Sequence, residues 1–251
     1  MKLLSGIVGA ALASVVALAS ANAADVYSGP AGGLKDVPAL GVNWGGLYFG
    51  AHVGGAWGDD EVTDVNGFAQ PAGYKFDNGS VGVFGGGQGG YNFQRGNFVF
   101  GAEIDAGGMD LSGSKAEPDT VVVLPHLASS RTNGGFYMDV TGRLGYAIGS
   151  ALIYAKGGWA YWGGSEAVTS TSPTDAAAIA TGTGGWTAGG GIEYKINPTM
   201  GLKVEYLHFD FGSSNVELAS TKTYYYTNAL EADTVKAGIN FYIGASMAPL
   251  K

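Results

Sequence analysis

The chain has 251 residues, of which 45 are glycine and none is cysteine, and its formal net charge is −8. The absence of cysteine excludes disulfide scaffolds, thiolate metal sites and cysteine nucleophiles. Abundant aromatic residues argue against a disordered linker, and glycines without a three-residue period argue against collagen. A chain of this length suits one sizeable barrel domain or two small domains.

The N-terminus has the pattern of a secretory signal peptide. Lys2 precedes a mostly apolar segment, residues 3–19, which is followed by the A-x-A cleavage motif Ala21-Asn22-Ala23. We therefore predict a signal peptide over residues 1–23, cleaved between Ala23 and Ala24. A membrane-spanning helix is the alternative, but the small-residue motif and the polar segment after it favour cleavage. No later apolar run is long enough for a spanning helix, so a membrane-spanning fold would have to be a barrel.

The first strong periodicity follows a short irregular segment. Residues 24–43 contain glycine and proline with little periodicity, and we predict that they form a periplasmic lead-in. In the first predicted strand, residues 46–57, apolar residues such as Phe49 and Val53 alternate with small or polar residues such as His52. This period of two is typical of a strand that faces lipid on one side and a barrel interior on the other.

Seven further segments repeat the alternation along the chain. They lie at about residues 79–94, 98–108, 136–146, 153–161, 186–196, 202–206 and 234–243. The pattern blurs near His208 and Phe209, which suggests a β-bulge. Three short predicted turns, at about residues 94–97, 148–150 and 197–199, alternate with four long polar connections at 58–74, 109–135, 163–184 and 212–232.

Short turns that alternate with long loops are typical of outer-membrane barrels, in which the short turns are periplasmic. A soluble barrel such as a lipocalin is apolar inside and polar outside, whereas here the charges alternate with lipid-compatible aromatic residues. We therefore predict an all-β fold, an eight-stranded antiparallel transmembrane up-and-down barrel. Its predicted span is residues 44–243, and residues 244–251 form a C-terminal tail.

The polar faces of the strands carry a balanced set of charges, which we call the interior charges. In a lumen just wide enough for side chains, isolated charges would be costly, so we expect paired networks and not a proton relay or a catalytic acid pair. The interior charges are Glu103, Asp105, Asp139, Arg143, Lys156, Glu193, Lys195, Lys203, Glu205 and Lys236.

Aromatic residues on the apolar faces predict girdles at the two membrane interfaces. The predicted girdle residues are Trp44, Trp57, Tyr91, Phe93, Trp159, Tyr161, Trp186, Tyr194 and Phe241. The long connections and adjacent strand ends carry many acids and few bases, so the outer rim should repel nucleic acid and attract cations. The expected partners are outer-membrane lipid, lipopolysaccharide and divalent cations at the acidic loops.

Sequence motifs for catalysis and cofactors are weak. Gly85, Gly87 and Gly90 fit G-x-G-x-x-G by count, but they lie inside an alternating strand and do not open a helix. The three histidines lack metal-ligand spacing. His208 with Asp210 and Ser213 or Ser214 is the one hydrolase candidate, and its spacing supports nothing specific. We predict no catalytic residue, no cofactor and no metal site.

Several glycine- and aromatic-rich segments recur along the chain: NWGGLYFG near the predicted mature N-terminus, GGGQGGY, GRLGY, YAKGGWAY, GGGIEY and the closing VKAGINFYI. As a set, they resemble the bacterial outer-membrane immunogenic protein and porin-like family of opacity-type barrels. The resemblance implies an eight-stranded barrel in the outer membrane with antigenic surface loops. The family usually ends on an aromatic residue that the outer-membrane assembly machinery reads, whereas Ile243 stands there in this chain.

The resemblance does not choose one activity, because members are described as structural antigens, porins, adhesins or haem binders. We expect a non-enzymatic barrel with a structural and surface-antigen role in the bacterial outer membrane. A small porin that passes ions or small solutes is the first alternative. A loop-based adhesin or receptor is the second, with Tyr224, Tyr225 and Tyr226 as aromatic contacts.

Overall fold

The computed structural model of the chain describes residues 42–66, 71–116, 128–170, 178–217 and 225–243. The predicted signal peptide, residues 24–41 of the lead-in and the tail lie outside these ranges. None of the described residues forms a helix long and apolar enough to cross a membrane. The strands in the described ranges are β1 (Gly46–Asp64), β2 (Tyr74–Arg95), β3 (Phe98–Ala116), β4 (Ala128–Asn133), β5 (Gly135–Ile148), β6 (Ala151–Ser170), β7 (Ala178–Asn197), β8 (Met200–Glu217) and β9 (Tyr225–Ile243).

These strands form one antiparallel sheet that closes on itself. Each strand pairs with its neighbours, and β9 pairs with both β8 and β1, so the first and last strands close the ring. Strands β4 and β5 both lie between β3 and β6. Only Gly134 separates them, so together they occupy a single position in the ring. The predicted eight-stranded antiparallel barrel is confirmed.

The two ends of the barrel differ in their connections. The short turns at residues 96–97, 149–150 and 198–199 lie at the end where β1 begins and β9 finishes. The strand ends that the longer connections join lie at the opposite end. Because short turns are periplasmic in this kind of barrel, the end with the short turns faces the periplasm, and the other end faces outward.

The strands extend further toward the outer end than the alternation predicted. Strand β3 continues to Ala116 and β9 begins at Tyr225, within segments that we predicted as loops. The side chains keep alternating in this extension, but their chemistry reverses: Met109 and Leu111 are buried inside, and Asp110 is exposed outside. The wall there faces water, so the predicted loops 58–74, 109–135, 163–184 and 212–232 are in part strand.

Strand β8 shows the same reversal where we predicted a β-bulge. His208 and Phe209 pair in continuous register with Asp233 and Ala232, so the prediction of a bulge there is wrong. The register shifts further along, between Asp210 and Ser213. Near His208 the outward side chains change from apolar to polar while the inward ones become apolar, and this reversal blurs the periodicity.

Glycine on the inner surface allows neighbouring strands to approach closely. A Cβ atom on Gly86 would lie 2.1 Å from the carbonyl oxygen of Ala106, a backbone atom that cannot move aside. The adjacent Gly87 faces outward, and a Cβ there would meet nothing closer than 3.5 Å. The two glycines lie on the same strand but differ in how much room a side chain would have.

We expect Gly86→Ala to destabilise the folded barrel by about 1–3 kcal/mol, the usual cost of overpacking. Gly87→Ala should be neutral or slightly stabilising, because alanine loses less backbone entropy than glycine on folding. Urea titrations of both variants in lipid vesicles, followed by tryptophan fluorescence, give the comparison. Equal midpoints would contradict the close approach at Gly86.

Candidate functional site

The barrel interior is filled by three layers of buried side chains. The strands alternate inward and outward positions, so residues two apart on each strand line the interior. The structure places all ten interior charges on the inner surface, where each is at most 4% exposed. From the periplasmic end outward, the layers are an aromatic layer, a charged layer and an apolar layer.

Six interior charges form a closed ring of alternating sign, which we call the ionic ring. Its members in order are Glu103, Lys156, Asp105, Lys236, Glu205 and Lys203. Successive nitrogen–oxygen distances around the ring are 2.5, 2.8, 3.0, 2.8, 3.7 and 3.0 Å. Lys156 also crosses the ring to Glu205 at 3.2 Å. Three carboxylates and three ammonium groups make the ring neutral, and strands β3, β6, β8 and β9 are joined through it.

Tyrosine hydroxyls complete the hydrogen bonding of the ring. Tyr48 donates to Glu103 at 2.7 Å, and Tyr154 donates to Glu205 at 2.7 Å. Every carboxylate oxygen of the ring therefore has a cationic or hydroxyl neighbour. Such saturation is what allows charged groups to remain buried, because an unpaired buried charge costs several kcal/mol.

A second ion pair lies beside the ring. The guanidinium of Arg143 donates to Glu193 at 2.7 Å and stacks 3.6 Å from the ring centre of Tyr154. Tyr242 and Asn240 donate to the other oxygen of Glu193 at 2.7 and 2.9 Å. This pair connects the charged layer to the aromatic layer on the periplasmic side.

Lys195 and Asp139 do not join either network. The Lys195 ammonium donates to the backbone carbonyls of Asn43 and Pro198 and lies 3.7 Å from the ring centre of Tyr242. Asp139 is fully buried opposite Asp105, and neither of its carboxylate oxygens has a hydrogen-bond partner. The expectation that all ten interior charges pair is therefore wrong for these two, because alternation gives the side of the wall and not the partner.

The aromatic layer closes the periplasmic end. Trp44 is fully buried there, packed edge-on against Tyr242 with ring centres 5.9 Å apart, and its backbone N–H donates to Gln94 at 2.6 Å. The prediction that Trp44 belongs to the lipid-facing girdle is therefore wrong. It precedes β1, so the alternation of that strand does not determine its direction, and it turns into the barrel mouth.

Apart from Phe84 and Tyr137, which alternation places on the lumen side of their predicted strands, the outer apolar layer was not predicted from the sequence. It contains Ala56, Phe84, Met109, Leu111, Tyr137, Ala160, Trp162, Leu207, Phe209, Phe211, Leu230 and Ala232, all at most 4% exposed. Part of its signal in the sequence was the reversed alternation within the segments that we predicted as loops, which contain Met109, Leu111, Leu230 and Ala232. His52 lies where this layer meets the charges, bonded to both Gln88 and Tyr137.

The outward surface carries the remaining predicted girdle residues. Tyr91, Phe93, Trp159, Trp186 and Tyr194 are about half exposed, while Phe241, Trp57 and Tyr161 are partly covered. These positions all face away from the interior. The outward side chains between them are apolar, as a wall in contact with lipid requires.

Neither a metal site nor a hydrolase triad fits the described residues. Glu103, Asp105 and Glu205 lie close enough to share a cation, but three lysines already supply the balancing charge. In the hydrolase candidate, His208 contacts Asp233 at 3.0 Å, while Asp210 accepts from Trp186 and from the backbone of Gly212. Among the described residues His208 therefore pairs with Asp233 and not with Asp210.

Comparison with known proteins agrees with this geometry. The family described as outer membrane protein beta-barrel domain matches residues 10–244. A 31 kDa outer-membrane immunogenic protein of Brucella melitensis is 32% identical over 242 residues, which cover 92% of this chain and 97% of the relative. A 25 kDa outer-membrane immunogenic protein of Brucella abortus is 29% identical over 199 residues, which cover 79% of each protein.

Among solved structures, the outer membrane protein OprG of Pseudomonas aeruginosa aligns with a TM-score of 0.47 and 12% identity, covering 81% of this chain and 99% of that one. The family match spans every residue of the barrel that the structure describes. The chain therefore belongs to the outer membrane protein β-barrel domain family and is an outer-membrane barrel protein.

Proposed function

We propose that this protein is a non-conducting structural barrel of the outer membrane that displays its outer end as a surface antigen. The observation that carries the proposal is the filled interior. Three successive layers of buried side chains occupy the lumen, and large residues such as Trp44 and Trp162 stand near opposite ends of it. An eight-stranded barrel has little room beyond its side chains, unlike the wide barrels of porins.

The antigen part of the proposal rests on the relatives and on the outer end of the wall. The Brucella relatives are named immunogenic proteins. Here the strands continue past the apolar band and carry acids on their outward side, among them Asp59, Glu61, Asp110, Asp210, Glu231 and Asp233. These acids, all at least partly exposed, lie on the end of the barrel that faces outward.

The proposal assigns no enzymatic activity to the chain. The buried charges of the ionic ring lack access to a substrate, and within the described part of the chain His208 bonds to Asp233 and not to a serine. The proposed partners remain outer-membrane lipid, lipopolysaccharide, divalent cations at the acidic outer end and the assembly machinery. The adhesin alternative depends on Tyr224 and on the side chains of Tyr225 and Tyr226, which lie outside the described part.

Conductance in a planar bilayer tests the proposal. We expect the folded monomer to show little or no steady current, and any residual current should favour cations because the outer rim is acidic. Trp44→Ala should stay closed as well, because the ionic ring and the apolar layer still fill the lumen. Large, stable steps from the natural protein would favour the porin alternative and overturn the proposal.

A further inference from the structure

We propose that the outward face of β7, β8 and β9 binds the sugar headgroup of an outer-leaflet glycolipid. Five side chains form this site, which we call the girdle cluster: Trp186, Tyr206, His208, Asp210 and Asp233. The proposal deepens the proposed function, which names lipopolysaccharide only as a partner, because it assigns a site on the barrel and the part of the lipid that is bound. It does not depend on whether the lumen conducts.

The girdle cluster is held together by hydrogen bonds on the lipid-facing side of the wall. Asp233 accepts from the Tyr206 hydroxyl at 2.6 Å and contacts Nδ1 of His208 at 3.0 Å. The indole N–H of Trp186 donates to Asp210 at 3.0 Å, and its ring centre lies 5.4 Å from that of His208. These contacts fix the orientation of three aromatic rings and two carboxylates, and the cluster remains partly exposed.

The height of the cluster places it at the headgroup level. Trp186, Asp210 and Asp233 each lie about ten residues from the periplasmic end of their strands, the length that a tilted strand needs to cross the hydrocarbon core. Below them the outward side chains are apolar, as at Ile192 and Leu202. The cluster therefore meets the outer leaflet where acyl chains give way to headgroups.

The two ends of the apolar band differ in composition. The outward-facing tryptophans, Trp57, Trp159 and Trp186, all lie toward the outer end. The periplasmic end carries phenylalanine and tyrosine, such as Phe93, Phe98 and Tyr194. Among the described residues, Asp210 and Asp233 accept hydrogen bonds from the outward-facing Trp186 and Tyr206, and both carboxylates also lie toward the outer end. This asymmetry matches a membrane whose two leaflets carry different headgroups.

The negative charge around the girdle cluster indicates which part of the lipid headgroup it would bind. Asp59, Glu231 and Asp210 stand in one row across β1, β9 and β8. Such a row repels phosphate groups. Carboxylates accept hydrogen bonds, so they suit the hydroxyl and amide groups of a sugar, and the flat Trp186 ring suits the apolar face of a sugar ring. The geometry points to the amino-sugar backbone and not to the phosphates.

Lipid retention measured by native mass spectrometry tests this site. Folded barrel in detergent, checked by its gel mobility before and after boiling, is titrated with dephosphorylated lipid A. We expect the double variant Trp186→Ala/Asp233→Asn to bind about tenfold more weakly, a loss equivalent to one or two hydrogen bonds. Tyr194→Ala, on the same strand at the periplasmic end and about as exposed, is the matched control and should bind like the natural protein.

Other lipids separate the alternatives. Phosphatidylethanolamine retained as tightly as lipid A would overturn the sugar assignment, and so would binding that needs phosphorylated lipid A and is lost with EDTA. Equal binding by the double variant and Tyr194→Ala would also overturn it. Bilayer conductance of the same samples keeps the two proposals apart, because a conducting barrel that still retains lipid A contradicts only the proposed function.

Discussion

Replacing Glu205 with Gln is expected to lower the free energy of unfolding by about 3–5 kcal/mol, the usual cost of breaking a buried ion pair. Glu205 is fully buried and contacts the ammonium groups of Lys156, Lys203 and Lys236. The glutamine is nearly the same size, so little packing is lost. The change leaves an uncompensated positive charge inside the ionic ring, and urea titration in lipid vesicles measures its cost.

Glu231→Gln is the matched control, because Glu231 is an exposed glutamate on the outward face of β9 and should change stability by no more than about 0.5 kcal/mol. The double variant Glu205→Gln/Lys236→Met restores neutrality to the ring. We expect it to recover part of the loss, since contacting residues are not additive. A double variant as unstable as the sum of the single ones would contradict the role of charge balance.

Replacing Trp162 with Ala is expected to cost about 3–5 kcal/mol through the cavity it leaves. Trp162 is 1% exposed in the outer apolar layer, where its ring lies 6.3 Å from that of Phe211. Its ring also covers Gly164, where a Cβ would lie only 1.9 Å from the indole. The neighbours are therefore built around this one side chain and cannot collapse easily into its place.

Trp159→Ala tests whether burial, and not tryptophan itself, sets this cost. Trp159 lies on the same strand but is 48% exposed to the lipid side. Acyl chains can fill the space it leaves, so its loss should be markedly smaller. Similar unfolding midpoints for the two variants would argue that the outer apolar layer is loosely packed.

Much of the barrel followed from alternation alone. The side of the wall on which each interior charge lies could be predicted because the side-chain period of a strand is two. The positions of the short turns followed from glycine, proline and asparagine. These features are local in the sequence, and a local pattern is sufficient to determine them.

The strand ends and the outer apolar layer could not be predicted in the same way. Above the membrane the wall meets water, so Phe209 turns inward and Asp210 outward, which reverses the chemistry without changing the period. We predicted loops there because the polarity no longer matched a lipid-facing strand. The missing partner of Asp139 and the burial of Trp44 depend on strands far away in sequence, which alternation does not report.

The pairing of β1 with β9 has a consequence for how the protein is made. These strands come from opposite ends of the barrel sequence, and they pair along nearly their whole length. Contacts between such distant segments form slowly, because a long loop must close first. Until the last strand has been synthesised and inserted, every partial chain exposes two unpaired edges that can join other chains. The unpaired edges that promote aggregation therefore disappear only at the final step of assembly, when β9 pairs with β1.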